Sequence, residues 1–574
     1  MGLRGLNVGV MAMNASRTAL ETTGHNISNA NTEGFHRQRV GLESNTPYNL
    51  ERYVIGRGVN IASIQRMVDT FAEDNYREAK SEYEFYNQKY ASLNHLEFIL
   101  NEMTEEDLSS RMNSFFNSIQ DFVNNVEDQS TRVSMVEEGQ VLTEEINRLN
   151  DEIIDLIADA DQQVDYVVDD LNIILSEIAE LNSAIVKSEA GGTEGKMAND
   201  LRDARDKLLN DLSDIMDTET FIQPDGTATV STKGSYLVFG DQAFRIQTEV
   251  VDEDDLGRKK LVFEDTGNDV RLSGGKLGGL LELKDTILEG YRDELDGLSA
   301  NLIFEFNKIH STGRGTIPLD SVRSEMTLVS PSTTELDDID LGFTPVDNTF
   351  QIQNGSFVIN VENKESGEVD STRIDIDLDD IGGDDTTVDD LVSILDDVAH
   401  VSASLTAEGR IQIDSNNNNY GFYFTDDTSN TLATFGINGF FTGFNSANMD
   451  VNEKLQSTPA LIAGGLSTAE GDNLNALKMG DLRNSKVMTS GTQSLEDYYQ
   501  SIIGRLGVET GQSLKLKESN AELMESFYTR KEETGGVSLD EEAANLLKYQ
   551  HVFQASARYI TTINAMLQTL IDKV

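Results

Sequence analysis

Proline punctuates this chain so sparsely that its placement nearly lays out where long helices can run. Pro47, Pro224, Pro318, Pro331, Pro345 and Pro459 are the only six in 574 residues. A proline inside a helix removes a backbone donor and clashes with the preceding turn, at a cost of about 3 kcal/mol. Residues 48–223 and everything after 459 are free of it, while the other four cluster in 224–345. The outline is therefore helix, β-rich middle, helix.

The period of apolar residues agrees. Residues 226–246 (GTATVSTKGSYLVFGDQAFRI) alternate apolar and polar around glycines, as hairpin strands do, and so do 351–361 and 373–378. Residues 410–424 (RIQIDSNNNNYGFYF) read as two strands joined by an Asn-rich turn. Residues 386–400 have the spacing of one short helix, and 273–310 return to helix between the two β-rich stretches. At 63.4 kDa the chain exceeds one ordinary core, so several domains are expected.

Charge narrows the function. Asp and Glu outnumber Lys and Arg 100 to 45, leaving −55; that field repels nucleic acid and anionic lipid. It is unevenly spread. Residues 1–60 carry six basic and four acidic side chains and residues 515–574 seven and nine, so the excess lies between them. Ends that pack against copies of themselves cannot keep a high density of like charge. With no cysteine, disulfides, thiol nucleophiles and Cys-ligated zinc are excluded together. No apolar run approaches the ~20 residues of a membrane span, so no membrane insertion is expected. The first residues, MGLRGLNVGVMAMN, lack the apolar stretch of a secretory signal.

The last helix is the clearest local signal. Ser538 and Glu541 have capping-box spacing after Gly535-Gly536, and Asp540, Glu541 and Glu542 place negative charge on the first turn. Leu546, Tyr549, Phe553, Ser556, Ile560, Ile563, Leu567, Leu570 and Val574 then follow steps of three and four, a coiled-coil seam. The N-terminus holds a weaker stripe, Leu3, Leu6, Val10, Met13, Leu20 and Ile27, interrupted by Arg17 and Gly24. Stripes at 146–156 and 167–185 read as ordinary core-facing helix. One exposed seam does not offset the entropy of ordering its own helix. A helix at each end, each needing a partner, implies pairing of the ends or packing between subunits.

Residues 22–39, TTGHNISNANTEGFHRQR, resemble the N-terminal motif of the bacterial flagellar axial proteins, and 536–574 resemble the matching C-terminal motif. Three interior segments, 199–217, 274–313 and 471–485, are similar to the FlgK family of hook-associated proteins, while roughly 320–450 resemble it weakly. Glu33 and Phe35 stand where the family usually has Pro and Tyr. In the motif, Asn26, Asn29 and Asn31 can bond nearby backbone, Gly34 supplies a positive φ, and residues 37–40 leave as an extended arm.

The resemblance implies an α+β multidomain fold: a discontinuous coiled-coil inner region from both termini, with inserted β-rich outer domains. It implies a terminal assembly domain of 1–60 with 515–574. An inner helical domain follows, 61–320 with 455–514, including a β-hairpin region near 220–270, and then an outer acidic β-rich domain, 321–454. The expected function is structural, joining hook to filament by polymerising through paired terminal helices, without enzymatic activity. The expected interface is the two apolar stripes together with Asn26, Asn29, Asn31 and Gly34. Expected partners are further copies in a ring or short tube, hook protein, a second hook-associated junction protein, an export chaperone and the type III export apparatus. The protein would lie outside the cell at the hook–filament junction, secreted without a cleaved signal peptide. Alternatives are another axial protein (hook or rod), a secreted adhesin or hydrolase using the outer domain, or a cytosolic coiled-coil scaffold.

No enzyme chemistry competes with this. His25, His36, His95, His310, His400 and His551 show no metal spacing, and His25 and His36 read as packing or interface residues. Gly274, Gly275, Gly278 and Gly279 lack the following Lys-Ser/Thr of a phosphate loop. The acidic run 375–397 lacks EF-hand register and reads as solvated acid. No cofactor or metal is expected.

Overall fold

Long uninterrupted helices occupy both proline-free tracts. The structure, a computed structural model, describes residues 2–50, 53–100, 107–190, 197–251, 259–342, 349–379 and 385–572. Of the residues singled out above, Pro345, Val574 and 380–384 lie outside the described part, as do the side chains of Leu3 and Leu570.

In chain order, helix α1 (Gly2–Ser28) leads to strand β1 (Gln38–Ser44), a small hairpin of β2 (Tyr48–Leu50) and β3 (Tyr53–Ile55), and β4 (Val59–Arg66). Helices α2 (Thr70–Leu100), α3 (Leu108–Asn124), α4 (Gln129–Glu189) and α5 (Asn199–Ile215) follow. Next come β5 (Glu219–Ile222), β6 (Ala228–Thr232), β7 (Ser235–Phe239), β8 (Gln242–Ala243), β9 (Ile246–Val250) and β10 (Lys259–Phe263). Helix α6 (Gly275–Glu282) passes through a π-helical turn (Leu283–Leu288) into α7 (Glu289–His310).

The β-rich stretch then runs β11 (Ser321–Arg323), β12 (Gly355–Asn363), β13 (Val369–Ile376), α8 (Val388–Asp396), β14 (Val401–Leu405), β15 (Ile411–Ser415) and β16 (Tyr420–Thr425). Helix α9 (Thr431–Phe435), strands β17 (Phe441–Thr442) and β18 (Asp450–Val451), and helices α10 (Glu453–Ser457), α11 (Leu474–Asp481), α12 (Leu495–Gly535) and α13 (Leu539–Ile571) complete it. This is the α+β, multidomain, end-paired architecture expected from the sequence.

Two compact units emerge. The first comprises Met1–Ser92, Ala158–Lys284 and Gly511–Val574; the second comprises Leu93–Ile157 and Asp285–Thr510.

In the first unit, β1 and β4 form an antiparallel ladder from Gln38 opposite Arg66 to Ser44 opposite Val59, so the expected arm is extended but paired. The sheet β5-β6-β7-β8 and the pair β9–β10 pack on the C-terminal part of α4. There Val164, Leu171, Leu175, Ile178 and Ile185 are buried, so this internal stripe is core. Two buried asparagines of α4 fix the strands. Asn182 donates to the Ala228 carbonyl (2.8 Å) and accepts from the Ala228 N–H (2.9 Å), and Asn172 does the same with Ile246 (2.7 and 2.9 Å). A carboxamide has the donor and acceptor of a peptide group, so it pairs with strand backbone that would otherwise be buried unsatisfied.

In the second unit, β11-β15-β14 and β13-β12-β16 share one apolar core with α8, built around Phe357, Ile359, Ile374, Leu391, Ile413, Phe422 and Phe424. The two strands joined by the Asn-rich turn are both present, yet β15 joins one sheet and β16 the other. Thr387 caps α8 through a reciprocal capping box with Asp390. A helical core surrounds Phe115, Phe306, Phe440 and Phe441, whose ring centroids lie 4.9–5.8 Å apart. Asn307 repeats the amide pairing, donating to the Phe441 carbonyl and accepting from the N–H groups of Phe440 and Phe441.

Candidate assembly site at the paired chain ends

Helix α1 is a poor helix on its own, because each interior glycine costs about 1 kcal/mol relative to alanine. It stands by lying antiparallel along α13: Gly5 sits against Ile563, and Gly9 against Ile560 and Tyr559. A Cβ on Gly9 would lie 2.7 Å from Ile560 Cγ1 and 3.0 Å from Tyr559 Cδ1. The helices approach closely because that atom is missing. Further along α1, Ala15, Ser16, Ala19 and Thr23 are buried. The most buried face of α1 is thus its small residues, a stripe the apolar pattern did not pick out, although its small-residue spacing is visible in the sequence.

The larger stripe residues take an intermediate place. Leu6, Val10, Met13, Leu20 and Ile27 of α1 and Leu546, Tyr549, Phe553, Ile560, Ile563 and Leu567 of α13 are half-buried in the single chain. Other apolar side chains of α13 stay uncovered: Leu547, Val552, Met566 and Ile571 are 43–73% exposed, and Tyr559, which touches α1 at Gly9, is still 44% exposed. The pair therefore satisfies one face of α13 and leaves another bare.

The motif after α1 is arranged differently from its simplest expectation. Helix α1 ends at Ser28 and Gly34 lies beyond it with φ +75°. Asn29 bonds locally, donating to the His25 carbonyl at 3.0 Å. Asn26 instead reaches across the turn, donating to the Gln38 carbonyl and accepting from the Gln38 N–H, both at 2.9 Å. It pins α1 to the first residue of β1, where a helix carboxamide completes a strand edge. Asn31 is exposed. Glu541 also departs from the capping box: Ser538 Oγ accepts from the Glu541 N–H at 3.4 Å, but the Glu541 carboxylate is taken by Arg37 Nη1 at 2.6 Å. Arg37 Nε binds Glu542 at 2.7 Å. A charge-assisted bidentate contact outweighs a local cap.

Where the two terminal helices meet the first unit, a buried ionic knot gathers residues from five places in the chain. His36 Nδ1 lies 2.7 Å from Asp203 and Nε2 lies 3.1 Å from Glu73. Arg66 bridges Asp203 (2.7 Å) and Asp206 (2.8 Å), and Lys531 lies 3.2 Å from Glu73. His36, Glu73 and Asp203 are each under a tenth exposed. Burial by itself would lower the His36 pKa, but hydrogen bonds and charge from Asp203 and Glu73 overcome it and raise it to about 9. For Glu73, burial pushes upward and is outweighed by His36, Lys531 and Arg77, which bring it to about 2. The sequence flagged His36 as packing or interface; nothing in local spacing announces partners 37 and 167 residues away.

No helix among the described residues is long and apolar enough to cross a membrane. Among the described residues, Asp377, Asp379 and Asp385 are the acidic group whose oxygens converge, and they lie at or near the surface, with Asp385 accepting from the Asp379 N–H at 3.1 Å.

Comparison with known proteins fits this geometry. Residues 93–317 match the family described as Flagellar hook-associated protein FlgK helical domain. Residues 6–36 match the flagella basal body rod protein family, and 532–573 the flagellar basal body rod FlgEFG protein C-terminal family. The two end matches fall on α1 with its turn and on α13. Flagellar hook-associated protein 1 of Bacillus subtilis strain 168 is 26% identical over 580 residues, covering 99% of this chain and 97% of the relative. The protein of the same name from Escherichia coli K12 is 24% identical, covering 99% of each chain. The structure of the flagellar hook junction protein FlgK from Burkholderia pseudomallei shares the fold, with a TM-score of 0.50 and 16% identity, over 81% of this chain and all of that one. Over nearly its whole length the chain is similar to proteins named flagellar hook-associated protein 1, and its helical segment matches the FlgK helical domain family.

Proposed function

We propose that this protein polymerises through its paired terminal helices into a ring or short tube that joins hook to filament, and that it does so without catalysing a reaction. The observation that carries the reading is the apolar surface that α13 leaves exposed, Val552 and Met566 together with Leu547 and Ile571, beside the row already covered by α1. A helix with two adjacent apolar rows is built for two partners: one is α1 of its own chain, and the other is a neighbouring copy. The near-balanced charge of both ends, in a chain of −55, removes the repulsion that would oppose such stacking.

In this role residues 1–60 with 515–574 form the assembly domain, with Leu3, Leu6, Val10, Met13, Leu20, Asn26, Ile27, Asn29, Asn31 and Gly34 on one side. Leu546, Tyr549, Phe553, Ile560, Ile563, Leu567 and Leu570 supply the other. Residues 61–320 with 455–514 form the inner helical domain and 321–454 the outer acidic one. Hook protein meets one end of the ring and a second hook-associated protein the other, outside the cell. Delivery is by the type III export apparatus without a cleaved signal peptide, and a chaperone covers the α13 row before export.

The test separates folding from assembly. Replacing Val552 and Met566 together by Glu leaves the circular-dichroism spectrum and the unfolding of the lone chain unchanged, and abolishes incorporation into flagella of cells lacking the native copy. Deletion of 546–574 does the same to incorporation. Such cells keep their hooks and release filament subunits to the medium. Normal filaments built on the double variant would refute the reading.

A further inference from the structure

We infer that protonated His36 is the clasp holding both terminal helices to the rest of the first unit, and that losing its proton under alkaline conditions releases them. The geometry requires the second proton. Each ring nitrogen faces a carboxylate, Asp203 at 2.7 Å and Glu73 at 3.1 Å, and a carboxylate only accepts. A neutral imidazole has one N–H, so one nitrogen would meet an acceptor with a lone pair, and the ring is only 4% exposed.

Every element packed around the ring contributes charge: Glu73 and Arg77 from α2, Asp203 and Asp206 from α5, Arg66 from β4, and Lys531 from α12. The exposed Asp74 of α2 pairs with Arg77 at the edge. When the ring turns neutral, Asp203 keeps Arg66 and Glu73 keeps Lys531. The body of the unit therefore stays paired while the clasp itself opens.

What the ring holds is the root of both helices. The neighbouring Arg37 N–H donates to the Gly535 carbonyl at 2.8 Å, and the Arg37 carbonyl accepts from the Met67 N–H at 2.9 Å. Gly535 lies so close that a Cβ there would be 2.9 Å from His36 Cδ2 and 2.9 Å from the Met67 carbonyl. Four residues after Gly535, α13 begins, and Arg37 itself pairs with its Glu541 and Glu542. Moving His36 therefore strains the entry of α13 and the exit of α1 together.

The sign follows from linkage. His36 binds its proton more tightly closed, with a pKa of about 9 against 6.5 when open. The closed state is thus fully favoured below pH 6.5 and loses ground as pH rises through 9, by about 300-fold in all. The inference concerns the lone chain and stands whether or not the assembly reading holds.

The experiment follows the full-length monomer by NMR of ¹³C-labelled histidine, with amide exchange of residues 2–28 and 539–571 corrected for intrinsic rate. In the native chain one imidazole, absent from His36→Gln, stays charged well above pH 8. Protection of the two end helices then falls about 100-fold between pH 6.5 and 9.5, while α5 keeps its protection. In His36→Gln the end helices are weakly protected and the step is gone. In Glu73→Gln, where an amide replaces one acceptor, the step moves to lower pH. The His36 imidazole titrating near 6.5, flat protection of the end helices across this range, or a surviving step in His36→Gln each overturns the inference. If His36→Gln fails to fold, the native titration and Glu73→Gln decide it alone.

Discussion

Asn26, Asn172, Asn182 and Asn307 all do the same physical work, offering a helix carboxamide to the N–H and carbonyl groups of strand backbone. Each satisfies at least one buried carbonyl and one buried N–H, so the cost of losing it is the desolvation of those groups rather than the bond alone. Asn182→Ala is expected to destabilise the first unit by about 2–3 kcal/mol, measured by urea unfolding, and to loosen the Ala228 amide in exchange. The Asn182 carboxamide also holds Arg205, whose guanidinium donates to it at 3.0 Å. All four of these asparagines sit within helices, where the residue type has low propensity. That misfit is visible in the sequence, but the strand it answers is not.

At the scale of elements, α1 shows how a helix can be specified by its partner. The apolar stripe was legible, yet the closest contacts are made by Gly5 and Gly9 against Ile563 and Ile560. Gly9→Val is expected to weaken α1–α13 pairing by about 1–3 kcal/mol, since the branched side chain must displace Ile560 and Tyr559. Gly24→Ala is the control: a Cβ there has nothing within 4 Å, so it should stabilise α1 by about 1 kcal/mol. Amide exchange of residues 2–28 reads both. The heptad seam of α13 was legible for the same reason that it works, because a period near 3.5 places its members on one line. Val552 and Met566, two heptads apart, keep the same period, and only the structure shows which row α1 covers.

For the molecule as a whole, two buried histidines set opposite limits of pH. His310 in the second unit bonds the Asn438 carbonyl through Nδ1 at 2.8 Å, and its Nε2 accepts from the Ala463 N–H at 3.2 Å, so it is held neutral. Burial lowers its pKa from 6.5 to about 4. The unfolded chain therefore binds the proton more readily. The contribution is complete above pH 6.5 and is lost as pH falls toward 4, amounting to ~3 kcal/mol. Thermal unfolding of the full chain should show one transition weakening over that window in the native protein but not in His310→Gln, whose amide can keep both bonds. His36 sets the alkaline limit in the first unit, with the reverse sign.

Sequence alone determined the helix–β–helix outline, the α+β class, the apolar line of α13, the charge-balanced ends and the family resemblance. All of these depend on residues near one another in the chain, through helix period, strand alternation, proline and glycine chemistry, or motif. Tertiary structure decided that β15 and β16 part into two sheets, that Asn26 serves Gln38, that Arg37 takes Glu541 from its cap, and that His36 meets Glu73 and Asp203. Those are choices between competing partners of similar local merit, settled by which groups the packed chain brings within reach in a place water cannot enter.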